Sequence, residues 1–171
     1  MTTTKIMRSS LRHYLLTATD PADTWSQLNK GISSLSSSFN PEIEEEAYIG
    51  DDAKTKYATG LAVETSFDMN YDSADDANDY IFDVMWARSI GTAAETYMLT
   101  VDMTETTEVG TDPVVLWYDA VKDKVSIAFN NMGDEAVKPL KISVTLGHQG
   151  DPVFGWYEPN TGAFSDTDPS A

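Results

Sequence analysis

Apolar and polar residues alternate along much of the sequence, most plainly at residues 61–69. Leu61, Val63, Thr65, Phe67 and Met69 fall on one side of an extended chain, and Ala62, Glu64, Ser66 and Asp68 on the other. The same period of two predicts further strands at His13–Ala18, Tyr97–Met103, Val114–Val121, Val125–Phe129, Val137–Leu146 and Val153–Tyr157. Lys122-Asp123-Lys124 reads as a tight turn, Thr104–Asp112 as a polar link, and GHQG around His148 as another turn. Trp25–Leu28 and Gly31–Phe39 are expected to form a hairpin about Asn29-Lys30-Gly31. In the second of these strands Ile32, Leu35 and Phe39 also fit helical spacing, but Gly31 and the serines disfavour a helix. As a strand it sets Leu35 and Phe39 beside Ser33 and Ser37, and leaves Ile32, Ser34, Ser36 and Ser38 on the opposite face.

A 3.6-residue period occurs once, in DSADDANDYIFDVMWARSIG, residues 72–91. Ala77, Tyr80, Ile81, Val84, Met85 and Arg88 share a side, Ser73 with Asp76 makes a capping box, and Gly91 is the expected stop. One helix among about eight short strands predicts a mainly β fold. The expected form is two packed antiparallel sheets, a sandwich or barrel, flanked by that helix. Residues 1–171 are expected to form a single domain. Pro41–Gly60 has too few large apolar residues for a core of its own and is expected to be a long hairpin or loop, an arm. Its residues are Glu42, Glu44, Glu45, Glu46, Tyr48, Ile49, Asp51, Asp52 and Tyr57. Residues 159–171 are expected to be a flexible tail anchored by Phe164.

Charge then narrows the function. Eleven basic residues face 28 acidic ones, a net charge of −17. Such a surface repels nucleic acid instead of holding it through its phosphates. Cysteine is absent, which removes disulfides and thiolate–metal chemistry. No apolar run is long enough to span a bilayer, and the N-terminus lacks the long apolar stretch of a secretory signal, so no membrane partner is expected. His13 and His148 are the two histidines, with no ligand or nucleophile at a telling spacing. Neither a GxSxG elbow nor a glycine-rich phosphate loop occurs, so neither an enzyme nor a cofactor is expected. Asp68, Asn70 and Asp72 match the first oxygen ligands of a calcium loop, but Ser73 and Asp79 then break the pattern. Asp151, Asp166 and Asp168 come together only if the fold brings them there. The pairs Trp117-Tyr118 and Trp156-Tyr157 fit a β core better than a glycan platform.

The order of these passages carries a resemblance. WSQLNKGISSLSSSFNPEIEEEAYI, YATGLAVETSFDMNYDSADDANDYIFDVM and DPVVLWYDAVKDKVSIAFNNMGDEAVKPLKISVTLGHQGDPVFGWY, with the arm at 42–60, resemble the major tail tube proteins of long-tailed bacteriophages. The likeness covers about residues 12–158 and rests on degenerate motifs. It implies two β layers with one helix, hexameric rings stacked into a tube, and four strands per subunit lining a conduit for the genome. On it, Ser34, Ser36, Ser38, Glu64, Ser66 and Asp68 are the expected lumen lining, and 41–60 the inter-subunit arm. Lys122, Lys124, Lys138 and Lys141 are the neighbouring cations expected for the arm's carboxylates. The implied partners are further copies of the chain, a tape-measure protein, terminator and distal tail proteins, and DNA in transit. The implied location is the virion tail, assembled in the host cytoplasm. A terminator or distal-end ring of the same fold, and a monomeric calcium- or glycan-binding β domain, are the alternatives.

Overall fold

The computed structural model describes residues 10–47, 54–111, 113–133, 135 and 138–170. The elements are β1 (Leu11–Ala18), β2 (Thr24–Gln27), β3 (Ile32–Glu46), β4 (Thr55–Asn70), α1 (Asp76–Trp86), a 3-10 turn at Gly91–Ala94, β5 (Glu95–Val109), β6 (Val115–Met132), β7 (Lys141–Glu158) and β8 (Ala163–Ser165). The fold is mainly antiparallel β with a single helix among the described residues, as the alternation predicts. Hydrogen bonding runs unbroken through one sheet in the order β2-β1-β5-β6-β7-β4-β3, with β8 on β7, and the sheet does not close into a barrel. It curls strongly. Leu11 and His13 of β1 line the same cavity as Leu35 and Phe39 of β3, although four strands separate them along the sheet.

The curl encloses the main core. Phe67 and Met69 of β4, Met98 of β5, Val125 and Ile127 of β6, and Ile142, Val144 and Leu146 of β7 meet Ala77, Ile81 and Val84 of α1. Each of the larger side chains, once buried, contributes roughly 1.5–3 kcal/mol. A smaller cluster on the other side of β1 and β5 gathers Tyr14, Leu99, Val101, Ala120 and Tyr157. Tyr14 pairs with Leu99, and the next pair, Leu15 with Met98, belongs to the main core, so the strand period alone divides the two clusters.

Several local expectations change. β2 pairs with β1 and β3 with β4, so no hairpin joins β2 to β3. Gly31 turns the chain between them at φ +70°, where an added Cβ would stand 2.4 Å from the Asn70 carbonyl oxygen. The α1 cap is Asp75, whose carboxylate accepts the Asn78 amide at 3.1 Å; Ser73 lies in the preceding turn. The helix stops at Trp86, ahead of Gly91, because Arg88 itself takes the left-handed conformation at φ 51°. Thr104–Val109 continues β5 and is not a link; its threonines suit a ribbon that is wet on both faces. Lys122–Lys124 is continuous strand, and His148 lies in a strand too. The slack falls in β7, where Lys122 faces Val153 and Lys124 faces Gln149, so Gly150–Pro152 bulges out.

The C-terminal strand is held by two devices. Gly155 lets β8 approach so closely that an added Cβ would lie 2.2 Å from the Ser165 carbonyl oxygen. Glu158, buried, accepts the amides of Asn160 at 2.8 Å and Thr161 at 2.7 Å, and the Thr161 hydroxyl. Burial pushes its carboxyl pKa up, but the hydrogen bonds from Thr161 and Asn160 outweigh this and hold it below the usual value.

Gly155→Ala is expected to cost about 1–3 kcal/mol by overpacking, seen as a lower denaturation midpoint and faster amide exchange at Ala163–Ser165. The Glu158 pKa is lower folded than unfolded, so its stabilisation is present above the unfolded value and lost as pH falls through the folded one. In Glu158→Gln that part of the acid destabilisation should vanish from a stability-versus-pH curve.

Candidate functional site

The register of β3 on β4 places Ser34 opposite Asp68, Ser36 opposite Ser66 and Ser38 opposite Glu64. All six side chains therefore share one face, the face away from the core. It continues across β7, where Asp68 faces Ser143, Ser66 faces Thr145 and Glu64 faces Gly147, and onto β6 at Ser126 and Ala128. Hydroxyls link the strands: Ser66 to Thr145 at 3.1 Å, and Asn130 Nδ2 donates to Thr145 Oγ1 at 2.7 Å. Lys141 Nζ lies 2.8 Å from Asp68, and Ser143 donates to it at 2.5 Å. The Lys141 and Ser143 contacts hold the Asp68 carboxyl below its usual pKa. The result is a four-stranded surface of small hydroxyls and carboxylates in which the one lysine at Asp68 is already neutralised. Sequence reading identified the first two strands of this face; β7 and β6 were found only through the register.

Among the described residues two unpaired edges bound it. β3 is the last strand of the sheet along Ile32–Glu46. β5 accompanies β6 only as far as Ser126, so Ile127–Met132 has β7 on one side and no described strand on the other. Because β3, β4, β7 and β6 are each antiparallel to the next, the two edge strands run in opposite directions.

Beyond the body, β3 and β4 continue as a two-stranded arm. Leu35 and Phe67 pack at the core, but the same face then carries Phe39 opposite Val63, Pro41 opposite Leu61 and Ile43 opposite Ala58. Phe39 and Leu61 are each 64% exposed and Ile43 59%. The other face carries Glu42, Glu44 and Glu46, and the Tyr57 hydroxyl donates to Glu44 at 3.4 Å. The Glu46 and Glu44 carboxylates push the Tyr57 pKa up, with burial adding to the shift. Glu45, on the apolar side, pairs with Lys56 at 2.5 Å and Lys54 at 3.3 Å, which lower its pKa. Tyr48, Ile49, Asp51 and Asp52 lie outside the described residues. The four lysines expected to meet the arm have partners in their own chain. Lys124 pairs with Glu95 at 2.6 Å, Lys138 with Glu135 at 3.2 Å and Lys141 with Asp68, and Lys122 sits 4.6 Å over the Phe164 ring.

The residues considered for chemistry are spread over several parts of the fold. Asp72 accepts the Ala74 amide in the turn before α1, away from the Lys141 pair that holds Asp68. No metal-holding cluster of three or more acidic or histidine residues occurs among the described residues. Tyr157 is a core residue, 5.0 Å from the Tyr14 ring, and burial chiefly pushes its pKa up to about 12. The histidines, unremarkable in sequence, line one cavity of about 1110 Å³ between the arm base and β1, β5 and β7. His13 Nδ1 is 3.1 Å from Thr100 Oγ1. His148 Nε2 is 3.0 Å from Thr65 Oγ1, its Nδ1 is 3.5 Å from Asp123, and Thr65 also meets Ser37 at 2.8 Å. With Thr65 fully buried, this chain is a polar tie across β3, β4, β7 and β6 and not a nucleophile open to substrate. Separations of 28 and 83 residues hid it from sequence reading.

Thr65→Val keeps the shape but strands Ser37 and His148, and should cost about 1–3 kcal/mol in chemical denaturation. Ser37→Ala, at the open end of the tie, should cost less.

Neither a family model nor a curated protein sequence matches the chain. Solved structures do. The tail tube of SPP1, determined by solid-state NMR and cryo EM, is 15% identical over 88% of this chain and 78% of that one, with a TM-score of 0.63. A chain of the anti-feeding prophage baseplate, determined by cryo-EM, is 12% identical over 90% of this chain and 97% of its own, with a TM-score of 0.45. The likeness to the tail tube is one of fold and spans nearly the whole chain.

Proposed function

We propose that this chain is a structural protein of a phage tail, the repeating subunit of its tube. Six copies form a ring, rings stack around a tape-measure protein between terminator and distal tail proteins, and the bore delivers the genome into the host. Assembly takes place in the host cytoplasm and the product is the virion tail. The observation that carries this reading is the polar four-stranded face bounded by two free edges of opposite direction, on a fold shared with a tail tube.

The physical argument runs from strand direction to closure. Four strands per copy is an even number, so the β6 edge of one copy meets the β3 edge of the next in antiparallel sense. A rotation axis parallel to the strands then repeats the contact without a mismatch. Closing the sheet in this way removes both edges, which would otherwise template uncontrolled pairing. The closed wall presents Ser34, Ser36, Ser38, Glu64, Ser66 and Asp68, joined by Ser143, Thr145, Ser126 and Asn130, to the bore. Hydroxyls hold water, carboxylates repel phosphate, and Lys141 is spent on Asp68, so DNA finds no cationic ladder to stop it.

Negative-stain electron microscopy of the purified protein, over a range of protein and salt concentrations, should show six-fold rings and hollow tubes, longer where salt screens the charge. A chain free of cysteine gives a clean second readout. The double variant Ser36→Cys/Ala128→Cys should cross-link under oxidation into a ladder ending at six copies. A protein that remains monomeric by both measurements overturns the reading. Ser36→Arg/Ser38→Arg tubes should retain DNA in a salt-dependent manner where wild-type tubes do not.

A further inference from the structure

The proposed tube makes no use of the cavity that the two histidines share. At about 1110 Å³ it has room for a small organic molecule. It lies inside the curl of the sheet beside the main core, with which it shares Met98 and Leu35. Its walls are largely apolar. Phe39, Leu61 and Val63 at the arm base form one part, and Leu11 of β1 with Val121 of β6 another. Phe39 and Leu61 line it and are still 64% exposed, so a ligand that displaced water from them would gain free energy.

The polar groups of the cavity choose between ligands. The titratable side chains that line it are Asp123, Asp151, His13 and His148, and no lysine or arginine lines it among the described residues. Asp123 and Asp151 come together through the irregular ladder. Lys122 faces Val153 and Lys124 faces Gln149, so Asp123 stands against the β7 bulge that carries Asp151. Bulges commonly re-aim side chains in this way. The Asp123 side chain is only 17% exposed, and its described partner is His148 Nδ1 at 3.5 Å. A neutral imidazole can donate to that carboxylate without cancelling its charge. Two carboxylates beside apolar walls concentrate a negative potential where an ammonium group would make charge-assisted hydrogen bonds. The same potential opposes a fatty acid or any other anionic amphiphile.

We propose that this cavity binds a small amphiphilic amine, with its ammonium group at Asp123 and Asp151 and its apolar body against Phe39, Leu61 and Val121. Phe39 and Leu61 belong to the arm, and Asp123, Val121 and Asp151 to the body, so the bound amine also ties the arm base to the body. The site belongs to the single chain and stands whether or not copies assemble into tubes.

The test compares octylamine, octanol and octanoate, which share an apolar body, by titration calorimetry at neutral pH. Amide resonances are followed by NMR, and sedimentation reports the state of association. Octylamine should bind saturably and at least about tenfold more tightly than octanol, with octanoate weakest. The amide signals of Phe39, Leu61 and Val121 should move together as it binds. Asp151→Asn, a change at an exposed position, should lower octylamine affinity about tenfold while leaving that for octanol unchanged. Val121→Trp should fill the cavity and abolish binding of both, with circular dichroism confirming that it folds. Equal affinity for octylamine and octanol overturns the role of the carboxylates and with it the amine class. Octylamine binding that Asp151→Asn leaves intact, or that moves signals over the whole surface, is attraction to the net negative charge and overturns the site. Octylamine released as the chain self-associates assigns the cavity to a second copy, and no saturable binding leaves it without a ligand; either result overturns the proposal. Failure to form rings or tubes bears on the tube reading alone.

Discussion

The register of β4 is the constraint on which the rest of this molecule depends. The strand is paired on both sides, with β3 and with β7, and its side chains alternate between core and outer face. A slip of one residue would bury Glu64, Ser66 and Asp68 and expose Thr65, Phe67 and Met69. Two charged groups would enter an apolar interior, and the Ser37–Thr65–His148 tie would be broken. The polar face and the core are thus one decision made by one strand. The buried Thr65 adds a directional check that apolar packing alone lacks, because its two hydrogen bonds are satisfied in only one register.

The curl of the sheet is the second determinant. It brings β1 close to β3 without joining them, so the molecule keeps the curvature of a barrel and the free edges of an open sheet. The main core under α1 fills the enclosed side. The arm lies beyond the reach of that core, so it keeps the alternation of a half-buried ribbon while Phe39, Ile43 and Leu61 stay exposed among the described residues. Pattern and environment disagree at Phe39, Ile43 and Leu61, and surfaces where they disagree are usually completed by another molecule.

How far the sequence revealed this follows from the range of each interaction. The alternation at 61–69 identifies β4 and both its faces, because period two is a property of the strand itself. The single helix is equally visible, though its cap is Asp75, which accepts the Asn78 amide, while Ser73 lies in the preceding turn that Asp72 closes on the Ala74 amide. Lys122–Lys124 looked like a turn because charged residues interrupt an apolar run. The strand persists because Glu95 and His148, remote in sequence, meet Lys124 and Asp123. The lumen candidates on β3 and β4 share a face, as their parity requires, whereas the contribution of β6 and β7 depends on pairings between distant segments. The intrachain contacts of Lys122, Lys124, Lys138 and Lys141, expected as a neighbour's counter-charges, were hidden for the same reason. Their partners in the chain cannot be seen until it is folded.

Those internal pairings have an ionic consequence. Five described lysines are tied to carboxylates of their own chain, and 28 acidic residues exceed 11 basic ones by 17 however they pair, so that excess exceeds what the chain's own cations can answer. Mobile cations from solution must make up the difference, and wherever copies crowd together these ions are confined with them. Their confinement sets up an osmotic pressure and a local potential that depend on the bulk electrolyte rather than on any residue. The folded chain thus arrives with an atmosphere of counterions, and the valence of those ions becomes part of the material from which any assembly of it is made.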